Sequence, residues 1–393
     1  MRRVLFAGGA TGGHLYPALA LAEELSRRGG VDPIFLTGDQ PLVREILEPH
    51  RVRMLCIEGL PSGQPWRWGT IGRRVTQLLT RERIDAVVAL GGRPGVLPGF
   101  WARWKRRPLF LLEQNRVLGR ANSLLLPLAD RIFLSFDDTA PEDRLRDRAL
   151  RLGCPVRPGF APSSLAGYGD PLLLVLGGSQ GAQDLNKLAP AALARAKRGW
   201  KILHVSGPGK EQGIRNAYRE AGLLASVRPF LQDPSVALAD ASLVLARAGG
   251  STIAELTAVG RGSLLLPYPH HRDRQQFLNA EAVTAAGGAE IVTTDPDAVA
   301  FRLDALLADR SLRVAMAKSA RSIGRPDAAA RIADVIATHL DADPERKSDA
   351  LGVDSTPQLE RMGSHKNRLS GVSGRRGAEI APSHGDRTGD GER

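Results

Sequence analysis

The stretch Val4-Leu5-Phe6-Ala7-Gly8-Gly9-Ala10-Thr11-Gly12-Gly13-His14 reads as an apolar strand running into a glycine loop, with a helical pattern from about Pro17 to Arg28. The second half of the chain opens in the same way. Pro171–Leu176 is apolar, Gly177-Gly178-Ser179-Gln180-Gly181-Ala182 is the loop, and a helix is expected from about Gln183. Glycine lets the backbone approach a ligand closely, and the helix end that follows presents free N–H groups and a positive dipole end. Working outward, further strands are expected at Asp32–Thr37, Val52–Ile57, Asp85–Leu90, Pro108–Leu112 and Arg131–Ser135. After the second loop they are expected at Lys201–Val205, Ser242–Ala246, Ser263–Leu266 and Ala289–Val292. Helical patterns separate most of them. Strands alternating with helices imply βαβ units and parallel sheets, so the expected class is α/β with two similar halves.

Between the halves, Gly153 to Asp170 holds Pro155, Pro158, Pro162, Gly159, Gly167 and Gly169 and reads as a linker. The expected organisation is an N-terminal domain over 1–157 and a second domain over 158–325. A terminal helix over 326–340 is expected to return to the first domain, and 341–393 to form a disordered tail. That tail is rich in Asp, Glu, Arg, Ser and Gly, and its few large apolar residues cannot offset the entropy of ordering.

At 393 residues the chain is too long for one ordinary core. Its 42% hydrophobic and 24% charged residues argue against wholesale disorder, collagen and coiled coil. There is no apolar run of about 18 residues to span a bilayer. The start Met1-Arg2-Arg3 resembles a secretory signal only until the glycines of Gly8–Gly13 interrupt it. Cys56 and Cys154 are the only cysteines and form neither a disulfide framework nor a cysteine metal site, which suggests a reducing compartment. Net charge is +12, and the 9 basic and 10 acidic residues of 341–393 leave the surplus on 1–340. An anionic partner fits this: nucleic acid, an anionic membrane or a phosphorylated substrate. No helix-turn-helix, zinc spacing or aromatic–basic RNA motif supports nucleic acid.

Four places carry candidate chemistry. His14 sits where the first loop becomes a helix; that end disfavours a protonated imidazole and leaves a neutral ring competent as a base, although a capping or packing role is the simpler reading of this residue alone. Ser179 in the second loop has a hydroxyl for a phosphate oxygen. A third junction, Leu245-Ala246-Arg247-Ala248-Gly249-Gly250-Ser251-Thr252-Ile253-Ala254-Glu255, again offers glycines and a helix start. Glu255, one turn in, suits a ribose diol or, alternatively, a capping-box bond to its own backbone. In Pro267-Tyr268-Pro269-His270-His271-Arg272-Asp273-Arg274-Gln275-Gln276-Phe277-Leu278-Asn279-Ala280, the paired amides suit sugar hydroxyls. His270 and His271 lack a third ligand at metal spacing, and Asp295-Pro296-Asp297 and Asp341-Ala342-Asp343 lie outside these motifs, so no metal is expected. Glu113-Gln114-Asn115 and Gly153-Cys154-Pro155-Val156-Arg157 complete the set, Arg157 being able to pair with a phosphate.

Taken in order, GGATGGH, EQN, GCPVR, GGSQGA, AGGSTIAE and DRQQFLNA resemble the motifs of the MurG family of peptidoglycan glycosyltransferases over about residues 3–340. The resemblance implies a GT-B architecture, two Rossmann-like domains facing across a cleft. It implies inverting transfer of N-acetylglucosamine from UDP-N-acetylglucosamine (UDP-GlcNAc) to the muramoyl C4 hydroxyl of lipid I, giving lipid II for peptidoglycan. The nearest alternative is a related enzyme acting on another lipid acceptor. By matching motif, Thr11, Gly12, Gly13, Asn115, Arg157, Ser179, Leu231, the run Gly250, Ser251, Thr252, Ile253, Ala254 and Glu255, and the pair Gln275 and Gln276 are implied in the donor site, with His14 as candidate base and no cofactor or metal. Two places depart from the family pattern: Leu112 stands where a His usually precedes EQN, and Gly91-Gly92-Arg93-Pro94-Gly95 lacks the usual aromatic and Ser.

The resemblance further implies peripheral attachment to the cytoplasmic face of the inner membrane, with cell-wall synthesis proteins as possible further partners. Two candidate docking surfaces follow from the residues. Trp66 and Trp68 precede a helical pattern with Ile71, Val75, Leu78 and Leu79 on one face and Arg67, Arg73, Arg74, Arg81 and Arg83 around it; Trp101, Trp104, Lys105, Arg106 and Arg107 form the second. Indoles and cations of this kind favour an anionic headgroup layer, but the helix face is equally able to pack on the sheet.

Overall fold

The computed structural model describes residues 1–57, 67–139, 143–163, 171–197, 199–270 and 273–342. Trp66, His271, Arg272, the linker residues 164–170 and the tail 343–393 lie outside the described residues, as does the side chain of Trp68.

The first half builds strands β1 (Arg2–Ala7), β2 (Val31–Gly38), β3 (Arg53–Ile57), β4 (Ala86–Ala89), β5 (Leu109–Glu113), β6 (Arg131–Leu134) and β7 (Ala149–Arg151). Between them run helices α1 (Gly12–Arg28), α2 (Pro41–Leu47), α3 (Trp68–Arg81), α4 (Arg93–Trp104) and α5 (Arg120–Leu125). The second half builds β8 (Leu172–Leu176), β9 (Lys201–Val205), β10 (Ser226–Arg228), β11 (Leu243–Ala246), β12 (Ser263–Leu265) and β13 (Ala289–Ile291). Its helices are α6 (Gln183–Arg195), α7 (Glu211–Glu220), α8 (Pro234–Asp240), α9 (Gly250–Val259), α10 (Gln275–Ala285), α11 (Pro296–Ala308), α12 (Arg310–Ser322) and α13 (Ala328–Asp341).

All pairings in both sheets are parallel, in the order β3-β2-β1-β4-β5-β6-β7 and β10-β9-β8-β11-β12-β13. Strand order therefore reverses beside β1 in one sheet and beside β8 in the other. In open α/β sheets such switch points leave a crevice beyond the carboxyl ends of the strands. The glycine loops after β1, β4, β8 and β11 all open there.

Each sheet is buried on both faces, which is why its strands read as continuous apolar runs. Val4 and Phe6 face one core with Leu15, Leu19 and Phe110, whereas Leu5 and Ala7 face another with Val75, Leu79 and Leu111. Helix α13 lies in the first of these cores. Ile332, Ala333 and Ile336 have no exposed surface, and Arg28 donates to the Ala330 carbonyl and pairs with Asp334.

Some elements differ from the sequence reading. Helix α1 starts at Gly12 rather than near Pro17, because Gly12 and Gly13 form its first turn. The three-residue strands β7 and β10 are too short to show a period. The start of the linker is not loose: Cys154, Val156 and Phe160 are buried. The apolar face of α3 packs against the sheet, with Ile71, Val75 and Leu79 buried, and Trp101 is buried as well. A crossover helix must cover its sheet, so neither that face nor Trp101 is available for docking. Asp295 serves as the N-cap of α11, accepting the Asp297 N–H. Among the described residues no helix is long and apolar enough to cross a membrane, and no cluster of three or more His, Cys, Asp or Glu gathers.

Candidate functional site

A cavity of about 500 Å3 lies between the two sets of loops. Thr11, Gly12, Gly13, His14, Asn115, Arg157, Ser179, Leu231, Gly250, Ser251, Thr252, Glu255, Gln275 and Gln276 line it. Ile253 and Ala254 do not. They lie on the other face of α9, beside a second cavity of about 700 Å3, and Ile253 is buried in the core. A helix turns such neighbours by about 100° per residue, so a continuous run cannot all face one side.

Close backbone approach builds the walls. Gly250 begins α9 against the loop after β5, where a Cβ would meet the Gln114 carbonyl oxygen at 2.1 Å. Gly181 has φ +70°, and a Cβ there would stand 1.9 Å from the Ser206 carbonyl oxygen. Across the cleft a Cβ on Gly12 would stand 3.1 Å from Ser179 Oγ, so the first and second glycine loops face one another. The N-termini of α1 and α9 both open here, and α9 has no side-chain cap at Gly249. The N–H groups of its first turn are thus left for a ligand.

Glu255 makes no capping bond to its own helix. Its Oε1 lies 3.7 Å from a terminal guanidinium nitrogen of Arg157. The Arg157 guanidinium in turn stacks over Tyr16 at 4.4 Å and Phe160 at 5.3 Å. Burial pushes the Glu255 carboxyl up to about 7, with Arg157 pulling the other way. Burial also raises the Tyr16 hydroxyl.

His14 is the third residue of α1, and its Nδ1 is 3.1 Å from Thr11 Oγ1. With the proton on Nδ1 donated to that hydroxyl, the Nε2 lone pair is free, and a side chain at Gly91 would stand 3.5 Å from it. Burial lowers the imidazole below its ordinary value, so the ring is neutral near pH 7. Leu112, in contrast, has no exposed surface and faces the core.

The amides on α10 are oriented. Gln276 Oε1 accepts the Tyr268 N–H at 2.9 Å, which turns its NH2 group outward. Gln275 donates from Nε2 to Asp273 Oδ2 at 2.8 Å, leaving its carbonyl oxygen as the acceptor. Tyr16, Gln114, Phe230 and Arg247 also line the cavity. Arg247 stands within the third junction, where local sequence does not single it out. It is buried, donates to the carbonyls of Leu266 and Pro267 and pairs with Asp184 at 3.0 Å. Gln114 is buried, and neither polar atom of its side chain has a partner among the described residues. Nothing in local sequence marks Tyr16, whereas Gln114 stands in the Glu113-Gln114-Asn115 motif, in which a site role is implied for Asn115 alone.

Residues 4–134 match the glycosyltransferase family 28 N-terminal domain, and residues 172–332 match the family 28 C-terminal domain. A protein of Rhodospirillum centenum is 38% identical over 357 residues, covering 86% of this chain and 94% of its own. One from Sorangium cellulosum is also 38% identical, covering 85% of this chain and 87% of its own. Both are named UDP-N-acetylglucosamine--N-acetylmuramyl-(pentapeptide) pyrophosphoryl-undecaprenol N-acetylglucosamine transferase. The chain belongs to the MurG family, within glycosyltransferase family 28. A solved MurG structure, from Acinetobacter baumannii, superposes with a TM-score of 0.73 at 25% identity, covering 86% of this chain and 100% of that one. The MurG match extends across both sheets and the cleft between them, and the architecture is GT-B.

Proposed function

We propose that this chain transfers N-acetylglucosamine from UDP-GlcNAc to the C4 hydroxyl of the muramoyl sugar of lipid I, undecaprenyl-diphospho-N-acetylmuramoyl-pentapeptide. The product is lipid II, for peptidoglycan. The observation that carries this reading is the cleft itself, in which two glycine loops, an uncapped helix N-terminus, a carboxylate and two oriented amides converge.

Each part has work in such a transfer. The N–H groups at the start of α9, with Ser179 and Arg157, suit a diphosphate and stabilise the charge that develops as UDP leaves. Glu255 accepts the two hydroxyls of the ribose. Leu231 and Phe230 border the base, and Gln275 and Gln276 read the sugar hydroxyls. The acceptor O4 attacks C1 of the sugar from the face opposite UDP. The new O4–C1 bond forms as the C1–O bond to the β-phosphate breaks, the electron pair leaves with UDP, and the configuration inverts from α to β. The hydroxyl proton passes to Nε2 of His14, a neutral acceptor whose other nitrogen is held by Thr11. The whole charge development is met by backbone dipoles and Arg157, so the reading includes no metal.

For a lipid-linked acceptor the chain reaches the membrane without crossing it. Phe100, Trp104 and Leu124 on the neighbouring helices α4 and α5 are 43%, 67% and 53% exposed. Exposed Arg103, Lys105, Arg106 and Arg120 accompany them, and Lys105 lies 4.4 Å over the Trp104 ring. An indole at the headgroup level with cations worth about 1 kcal/mol each suits an anionic leaflet. This surface replaces the α3 face, and the membrane side implied is the one that holds UDP-sugars, the cytoplasmic side. The test is turnover of UDP-GlcNAc with lipid I against diacylglycerol as acceptor. Lipid II formation with no product from diacylglycerol is expected; the reverse preference would overturn the acceptor assignment.

A further inference from the structure

One fully buried side chain joins the loop after β5 to helix α10. Asn279 has no exposed surface. Its Oδ1 accepts the backbone N–H of Arg116 at 2.9 Å, and its Nδ2 donates to the Ala248 carbonyl at 3.1 Å and to Asn115 Oδ1 at 3.0 Å. A backbone N–H only donates and a backbone carbonyl only accepts, so the Asn279 carboxamide has a single orientation. That orientation fixes Asn115 in turn. The Asn115 oxygen is occupied, and one Nδ2 hydrogen points to Glu113 Oε1 at 3.3 Å. The other Nδ2 hydrogen has no partner among the described residues, at the wall of the cleft. Glu113 is itself held by the Gly119 N–H at 2.9 Å and by Asn122 Nδ2 at 3.0 Å.

Asn115 and Arg116 belong to the first half of the chain, Ala248 and Asn279 to the second. Gln275 and Asn279 are four residues apart on α10 and therefore share a helix face. The helix that presents the sugar-reading amides thus also grips the loop of the opposite half.

We propose that Asn279 is a positioning residue for the donor. Acting through Asn115, it holds an N–H toward an acceptor oxygen of the nucleotide sugar and ties that contact to the placement of α10. This rests on the donor-site reading above. No ligand contact is assigned to Asn279 itself.

The test is a double-mutant cycle with Asn279→Ala, Asn115→Ala and the pair, reading kcat and KM for UDP-GlcNAc at saturating acceptor. Each single variant should lower kcat/KM for the donor by about tenfold to a hundredfold, the range of a hydrogen bond to a charged group. The double variant should be no worse than Asn115→Ala alone, and KM for lipid I should not move. Multiplying losses would overturn the proposal. So would wild-type kinetics in Asn279→Ala accompanied only by a lower melting temperature. If that variant does not fold, the cycle is run with Asn279→Asp, which keeps the size and the acceptor for Arg116 but loses the donors to Asn115 and Ala248. A wild type that fails to turn over UDP-GlcNAc would defeat the function reading. Wild-type turnover with independent losses defeats only the role of Asn279.

Discussion

Replacing Glu255 by Gln separates folding, pH and donor binding in one experiment. Burial raises the carboxyl from 4.5 to about 7, against the pull of Arg157. That displacement corresponds to about 3 kcal/mol. The sign follows from proton counting. An unfolded chain releases this proton near the ordinary value, while the native state keeps it to about 7. The native state therefore binds more protons between these limits, and its stability falls as pH rises through that window and levels off above it. Glutamine has no proton to lose. Ligand-free Glu255→Gln should equal wild type near the lower limit and exceed it by up to about 3 kcal/mol at the upper one.

Donor binding should run the other way. A ribose diol donates to an ionised carboxylate, so below about 7 binding must first expel the proton, and affinity should weaken by about tenfold per pH unit. UDP-GlcNAc is the suitable probe, because its diphosphate diester exchanges no proton in this range. The same titration in His14→Ala takes the imidazole, which burial lowers, out of the comparison. Calorimetry in buffers of different ionisation enthalpy should register the proton released. Glu255→Gln should bind about 1.5–3 kcal/mol more weakly than the ionised wild type, without the pH dependence. A wild-type Kd that stays flat across the window, or a Gln variant that keeps the slope, would refute the ribose assignment.

Three further outcomes are expected. His14→Ala should lower kcat by about 10²–10⁴-fold with donor affinity retained, by single-turnover kinetics and calorimetry, and near-wild-type turnover would remove His14 from the chemistry. Gly250→Ala forces a Cβ to 2.1 Å from the Gln114 oxygen and should raise the donor KM by separating the two loops, with unchanged KM counting against their contact. Phe100→Ser with Trp104→Ser should cut co-sedimentation with anionic vesicles, and the remaining binding should fall with salt, while activity on a water-soluble acceptor analogue persists.

Much of this fold is legible because parallel strands buried on both faces leave unbroken apolar runs, and because each glycine loop sits at a strand end. The repeated opening at Gly8 and at Gly177 places two similar halves face to face before any coordinate is known. What escaped the sequence are features set by contact between distant segments. Gly12 and Gly13 read as loop because propensity weighs against glycine in a helix, yet both lie in the first turn of α1, where the small size of Gly12 lets it meet Ser179. The same holds for the face of α3, whose arginines resemble a membrane anchor until the sheet beneath claims its apolar side.

The site shows the same division between what a motif states and what packing decides. Asn115, Arg157 and Glu255 lie in separate motifs, and their types suggest phosphate and sugar chemistry one by one. Their states do not follow from type. Glu255 is an ordinary carboxylate in sequence, and only its burial, against the pull of Arg157, moves its proton into the physiological range. Asn115 has two hydrogens and an oxygen to offer, and only the grip of Asn279 and Glu113 decides which one reaches the cleft. A substitution that preserves every motif residue but loosens this grip would keep the family signature and lose the geometry, so the buried polar contacts behind the motifs govern how well the cleft performs.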